Sequence, residues 1–281
     1  MKIVISTEST CDLSKELIEQ YHVQLIPYTI NLGPKSFHDG ELTTEEIFES
    51  VKETGVLPKT AAINEFEYLE YFKKLREEYD AIVHVSLSSG ITASTGNAIK
   101  AAAQLKNVYV VDSLALSSGI GLLVRYAAIL AQEGLDAKTI YKKLEERKKH
   151  LQVSFVIERL DYLYKGGRCN SLQYFGANLF KLRPRIIMKD GKMRSDDKYR
   201  GPMGRVVEKY CQRVLEDYPT PDLDCVFITY TTATEEMVAS ARAACENAGF
   251  KNIFETHAGG TIASHCGEHT LGILYFNDGK N

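Results

Sequence analysis

The sequence predicts an α/β protein in two parts, a parallel-sheet N-terminal domain followed by a mixed α/β C-terminal domain. Over the first 150 residues, short β-branched runs alternate with helical segments, the pattern of a parallel sheet covered by helices. Beyond that point hairpin signals enter, above all Asp190-Gly191 between two extended runs. We therefore divide the chain into 1–150, an α/β domain with a parallel sheet, and 151–281, a mixed α/β domain.

Each element has its local reason. Lys2 to Ser6 reads as a first strand, followed by the polar loop Thr7 to Asp12 and a helix over Ser14 to His22. Val23 to Asn31 reads as a second strand, closed by turn signals at Gly33, Pro34 and Asp39-Gly40. Thr43 and Glu46 form a capping box for a helix to about Glu53. After the loop Gly55 to Asn64, a helix over Glu65 to Tyr79 offers Phe66, Leu69, Phe72 and Leu75 as an apolar stripe for the core. Ala81 to Val85 is a buried strand, Ile91 to Leu105 a helix, Val108 to Val111 a strand, and Ala115 to Glu133 and Ala137 to His150 are helices parted by Gly134.

The second half is expected to run as a strand over Gln152 to Ile157, a helical turn over Glu158 to Tyr164 and a helix over Ser171 to Lys181. The hairpin Arg183–Met188 and Lys192–Tyr199 follows, then a helix over Pro202 to Tyr218. A strand over Cys225 to Tyr230, a helix over Thr234 to Ala248 and strands near Asn252 to Glu255 and Thr270 to Phe276 complete it.

Composition excludes several functions. The 281 residues suffice for two ordinary cores. With 34 basic against 37 acidic residues, a net charge of −3 and no basic tract, nucleic acid is not an expected partner. No apolar run approaches the roughly 20 residues that span a bilayer, and the run opening at Met1 is too short for a signal peptide. The expectation is a soluble cytoplasmic protein. The six cysteines are scattered, which suits neither a disulfide framework nor a Cys-rich zinc site. Phosphate-loop, dinucleotide and nucleophile-elbow glycine patterns are absent.

The chemistry centres on Ala81 to Ala98. A strand passing into a helix aims free N–H groups and a positive dipole end at whatever sits above the strand, and Ser86, Ser88, Ser89, Thr92, Ser94 and Thr95 add hydroxyls. That suits a small anionic head group, although Ser and Thr also serve as ordinary caps and turns. His265 reads either as a satisfied structural residue or as a donor to an anion. Arg168, after two glycines, reads as a surface charge or as a group closing an acidic head-group site. His265-Cys266-Gly267-Glu268-His269 matches the H-x-x-E-H zinc pattern literally, but Gly259, Gly260 and Gly267 argue against the long helix it requires.

Eight segments together resemble the DegV family of fatty-acid-binding proteins, the lipid-carrying subunits of bacterial fatty acid kinase. They are Ile5 to Leu13, Leu57 to Thr60, Leu87 to Thr92, Val111-Asp112-Ser113, Gly167-Arg168, Lys189 to Lys192, Lys198-Tyr199-Arg200 and His265-x-Gly267, in family order and spacing over essentially the whole chain. The resemblance implies a long-chain fatty acid buried between and beneath two domains, and no other cofactor. Its carboxylate is expected near Thr60, Ser89 and His265, with Ser88 and Arg168 in support. No residue is expected to be catalytic and none to hold a metal. The chain would present the carboxylate to a separate ATP-dependent kinase of dihydroxyacetone-kinase type, with Arg200 at the position implicated in docking it.

Departures from the family pattern fall at Glu8, where Asp is usual, at Ala61 to Asn64, at Thr92 to Thr95 and at Gly267 to His269. They bear on which acyl chain is preferred. Burying about fifteen methylenes at roughly 0.8 kcal/mol each gives about 12 kcal/mol of gross driving force, so affinity belongs to the tail and orientation to the polar end. Two other classes stay open. One is a hydrolase using His265 with a serine or a metal, and the other a lipid-sensing regulator without a kinase.

Overall fold

The computed structural model describes residues 1–169 and 182–279, and the helix expected over 171–181 lies outside them. Among the described residues the first half runs β1 (Ile3–Glu8), α1 (Lys15–Gln20), β2 (Gln24–Ile26), β3 (Thr29–Leu32), β4 (Lys35–His38), α2 (Thr44–Thr54), β5 (Lys59–Ala61), α3 (Glu65–Glu78), β6 (Ala81–Ser86), α4 (Ser94–Ala102), β7 (Val108–Asp112), α5 (Ser118–Gln132) and α6 (Ala137–Arg147). The second half runs β8 (Leu151–Val156), α7 (Leu160–Gly166), β9 (Arg183–Lys189), β10 (Lys192–Tyr199), α8 (Met203–Asp217), β11 (Cys225–Tyr230), α9 (Glu235–Asn247), β12 (Asn252–His257), α10 (Gly260–Cys266) and β13 (Leu271–Phe276).

Three sheets result. The first is parallel, in the order β2-β1-β6-β7. β4-β3-β5 forms a small antiparallel sheet. The third is mixed, in the order β10-β9-β8-β13-β11-β12, with only β11 and β12 running parallel. Helix α5 joins them: it packs against β1 and β6 of the first sheet and against β8, β11 and β13 of the third. One core cluster accordingly contains Val4, Val83 and Val85 together with Val153, Phe155 and Leu274. A second, around Tyr210, Val226 and Met237, lies beneath α8 and α9.

Local structure departs from expectation in several places, and strands β4 and β5 form where turns and a loop were expected. The strand expected over Val23 to Asn31 is two strands in different sheets, because Pro27 has no N–H to donate and interrupts the ladder. In α3 the buried residues are Tyr68, Phe72 and Leu75, while Phe66 is 71% exposed. Steps of three residues drift around a 3.6-residue helix, and the face that keeps its heading runs i, i+4, i+7. The helix expected from Ile91 begins only at Ser94, so β6 does not pass directly into α4 and a loop over 87–93 stands between them. Finally, α10, which was not expected, forms between Gly259 and Gly267 and at seven residues is short, as those glycines imply. A Cβ on Gly260 would lie 2.6 Å from Ile30 Cδ1 and 2.8 Å from Ile47 Cδ1, so the helix can sit this close to β3 and α2 only with glycine there.

Candidate functional site

In the parallel sheet the chain moves from β1 to β2 on one side and later from β6 to β7 on the other. The reversal lies between β1 and β6, and in open α/β sheets the crevice beyond the carboxyl ends at such a point receives ligands. The loop 87–93 after β6 lines a cavity of about 790 Å³ there, with Tyr28 and Thr60, with Arg168 after α7, with Lys192, Met193 and Arg194 of β10, and with Thr261, Ile262, His265 and Cys266 of α10. The volume suits a ligand of drug or lipid size.

The loop is anchored from below by Glu8. Its carboxylate, fully buried, accepts hydrogen bonds from Tyr68 Oη at 2.6 Å, Ser86 Oγ at 2.6 Å and the Leu87 N–H at 2.9 Å, and meets His84 Nε2 at 3.3 Å. Burial pushes the Glu8 carboxyl up, but the bonds and charge of His84, with those of Ser86 and Tyr68, outweigh it and hold the group below its ordinary value. From the side, Ser88 Oγ donates to the Gly191 carbonyl at 2.7 Å, which docks the β9–β10 turn onto the loop. Asp112 Oδ1 accepts from the Ser89 N–H at 3.1 Å.

Thr60 and His265 form the polar centre. Thr60 Oγ1 and His265 Nε2 are 2.8 Å apart, brought together from β5 and α10 across 205 residues of sequence. Burial, and secondarily the Arg168 charge, lowers the imidazole to about 4, so at neutral pH it carries one proton. Its Nδ1 is buried without a partner against Gly166, where a Cβ would come within 2.6 Å. A lone pair facing that wall is cheaper than an orphaned N–H. We therefore assign the proton to Nε2, which makes Thr60 Oγ1 the acceptor and leaves the threonine O–H to be donated into the cavity.

A second, much smaller space of about 20 Å³ adjoins the cavity. Leu116, Ile262 and Cys266 border both, and Phe155, Gly272 and Leu274 line the smaller one between the sheets. One end thus offers hydroxyl donors beside a neutral imidazole and the other an apolar path. Three exposed cations, Arg168, Lys192 and Arg194, stand at the rim.

Residues 2–278 match the model of the DegV family, described as uncharacterised proteins. The chain belongs to the DegV family. It is 31% identical to a fatty acid-binding protein of Thermotoga maritima over 227 residues, 78% of each chain. It is 27% identical to Protein DegV of Bacillus subtilis, over 98% of this chain and 99% of that one. Its fold superposes with a TM-score of 0.90 on a DegV family protein from Thermus thermophilus described by its fatty acid binding, at 27% identity and over 98% and 99% of the two chains. Fatty acid binding is therefore a property of DegV family proteins.

In this DegV chain the expected site residues are only partly assembled. Thr60, Ser89, Arg168 and His265 all line the cavity. Ser88 does not: it is fully buried and its hydroxyl is spent on Gly191. Arg200 lies elsewhere, in a separate cavity of about 560 Å³ with Leu182, Lys198, Tyr199 and Lys209. The Ser94 N–H at the start of α4 is also not offered to the cavity as expected; it donates to Thr92 Oγ1 at 3.2 Å, and the loop 87–93 lines the cavity. Sequence reasoning missed Lys192, Arg194 and Thr261. The first two were legible as the alternate positions of a strand after a hairpin turn; Thr261 was hidden with α10.

The zinc pattern comes apart in the fold. His265 bonds Thr60 while His269 Nδ1 bonds Glu158, and among the described residues the one cluster of three metal-ligand types is Asp196, Asp197 and Asp217. Those three surround Arg185, whose guanidinium reaches Asp217 at 2.8 Å and Asp197 at 3.5 Å. No helix among the described residues is long and apolar enough to cross a membrane.

Proposed function

We propose that this chain binds a long-chain fatty acid in the cavity beyond β1 and β6 and presents its carboxylate to a separate ATP-dependent kinase that makes the acyl phosphate. The observation that carries this reading is the Thr60–His265 pair at the mouth of a cavity whose inner end is apolar. The carboxylate accepts from the hydroxyls of Thr60 and Ser89 and lies beside His265, with Arg168 closing over it; Ser88 acts at one remove by fixing the loop. The neutral hydroxyls orient the head group and the Arg168 charge stands at the exposed rim, where solvent screens it, so a carboxylate oxygen keeps its nucleophilicity toward a phosphoryl group. The chain itself does no bond chemistry. A hydrolase needs a base that takes the nucleophile's proton, whereas in the assignment above His265 Nε2 carries its own proton and donates it to Thr60, so it cannot take one from that hydroxyl.

Mass spectrometry of the organic extract from purified protein, before and after delipidation, tests the binding reading. A fatty acid near one per chain supports it; an empty extract with no uptake of added fatty acid overturns it. Arg200, apart from the lipid cavity, is assigned to the kinase contact. Arg200→Ala is expected to retain fatty acid normally and to lower acyl phosphate formation with a cognate kinase, measured by phosphate transfer from labelled ATP. Tight lipid binding without transfer by any kinase would instead favour a lipid sensor.

A further inference from the structure

The cavity contains a second polar station that the carboxylate reading leaves unused. Two of the buried polar atoms without a partner line it, His265 Nδ1 and Thr261 Oγ1. The first is turned against Gly166. Thr261 is different: the residue is 3% exposed, its backbone N–H is held by Asp39 Oδ2 at 3.3 Å, and its hydroxyl has no partner. A buried hydroxyl without a partner is unfavourable and rare, and one on a cavity wall points to a ligand or water that completes it.

Its place along the ligand path is set by α10. Thr261 and His265 are four residues apart and so share a helix face. Four residues rise about 6 Å, which four or five carbons of an extended chain cover at about 1.3 Å each, given C–C bonds of about 1.5 Å. Ile262 and Cys266, beside them on α10, line both the cavity and the smaller space adjoining it, so a chain entering at His265 and running inward passes this helix. Beyond Thr261 the smaller hydroxyls near the path are already engaged: Ser117 with Asp12, Ser154 with Tyr210, Thr229 with Ser118 and Thr256, Thr231 with the Gly267 carbonyl and Thr270 with the Cys266 carbonyl.

We propose that Thr261 makes this chain selective for fatty acids bearing an oxygen substituent, a hydroxyl or keto group, about four or five carbons from the carboxylate. The selection rests on the fatty-acid reading above and deepens it. The Thr261 hydroxyl donates to or accepts from the substituent, and an unsubstituted chain leaves it unpaired.

The test offers delipidated protein an equimolar mixture of hexadecanoic and 5-hydroxyhexadecanoic acids, with 12-hydroxyoctadecanoic and octadecanoic acids as a distal pair, and quantifies what is retained by mass spectrometry. The wild type is expected to enrich the 5-hydroxy acid roughly three- to tenfold, the effect of one hydrogen bond, with no such enrichment in the distal pair. Thr261→Val, nearly isosteric, is expected to abolish the enrichment, the two acids then being retained in equal amounts. Equal uptake of the two hexadecanoic acids by the wild type overturns the proposal, as does a preference that survives Thr261→Val. Retention of neither acid would instead overturn the fatty-acid reading itself.

Discussion

At the residue scale the site depends on how Thr60 and His265 divide one hydrogen bond. If His265 donates, the Thr60 O–H is what meets the ligand, and Thr60→Val removes it without removing volume. Hydrogen bonds to charged groups are worth about 1.5–3 kcal/mol, so fatty acid retention should weaken roughly 10- to 150-fold, measured by displacement of a fluorescent fatty acid. His265 also ties the site to pH. Its pKa of about 4 lies below the ordinary value of 6.5, so between those limits the unfolded chain binds more protons and stability rises with pH. The lipid-free protein therefore loses this contribution as pH falls from about 6.5 to about 4. His265→Gln should lessen the acid loss across that window relative to the wild type, as read by denaturant unfolding. A bound carboxylate favours the imidazolium; NMR titration should find the ring of the loaded protein titrating above that of the lipid-free protein.

At the scale of elements, what matters is how the loop 87–93 is held. Glu8 ties β1, α3, β6 and this loop together through Tyr68, His84, Ser86 and Leu87. Glu8→Ala strands these groups around a buried gap and should destabilise the protein by about 3–5 kcal/mol in denaturant unfolding. Glu8→Gln, which keeps acceptor capacity, should lose less. The elements themselves were unequally legible. The capping box at Thr43 and Glu46 and the Asp190-Gly191 hairpin form as read, because their signals lie within a few residues and are satisfied locally. Helix α10 was not legible, since glycine's low helix propensity is overridden by packing against Ile30 and Ile47.

At the scale of the molecule, the two halves differ in sheet type but share a core through α5. We propose 1–150 and 151–281 as domains in the sense of sheet architecture, coupled strongly enough that they unfold together. Thermal unfolding followed by near- and far-ultraviolet circular dichroism should give one coincident transition; two separated transitions would show that α5 does not couple them. The same coupling explains the cavity, whose lining comes from β5, the loop after β6, the segment after α7, β10 and α10. Alternating strand and helix periods, turn dipeptides and the ordered segments of the DegV pattern determined the fold class, the order of most elements and membership of the family, because each is written in neighbouring residues. Only the tertiary structure decided that Thr60 meets His265, that Ser88 braces a hairpin instead of facing the cavity, and that Thr261 is buried on its wall without a partner. Those outcomes depend on which backbone atoms approach across a hundred residues or more, and close packing fixes them without leaving a periodic signal in the chain.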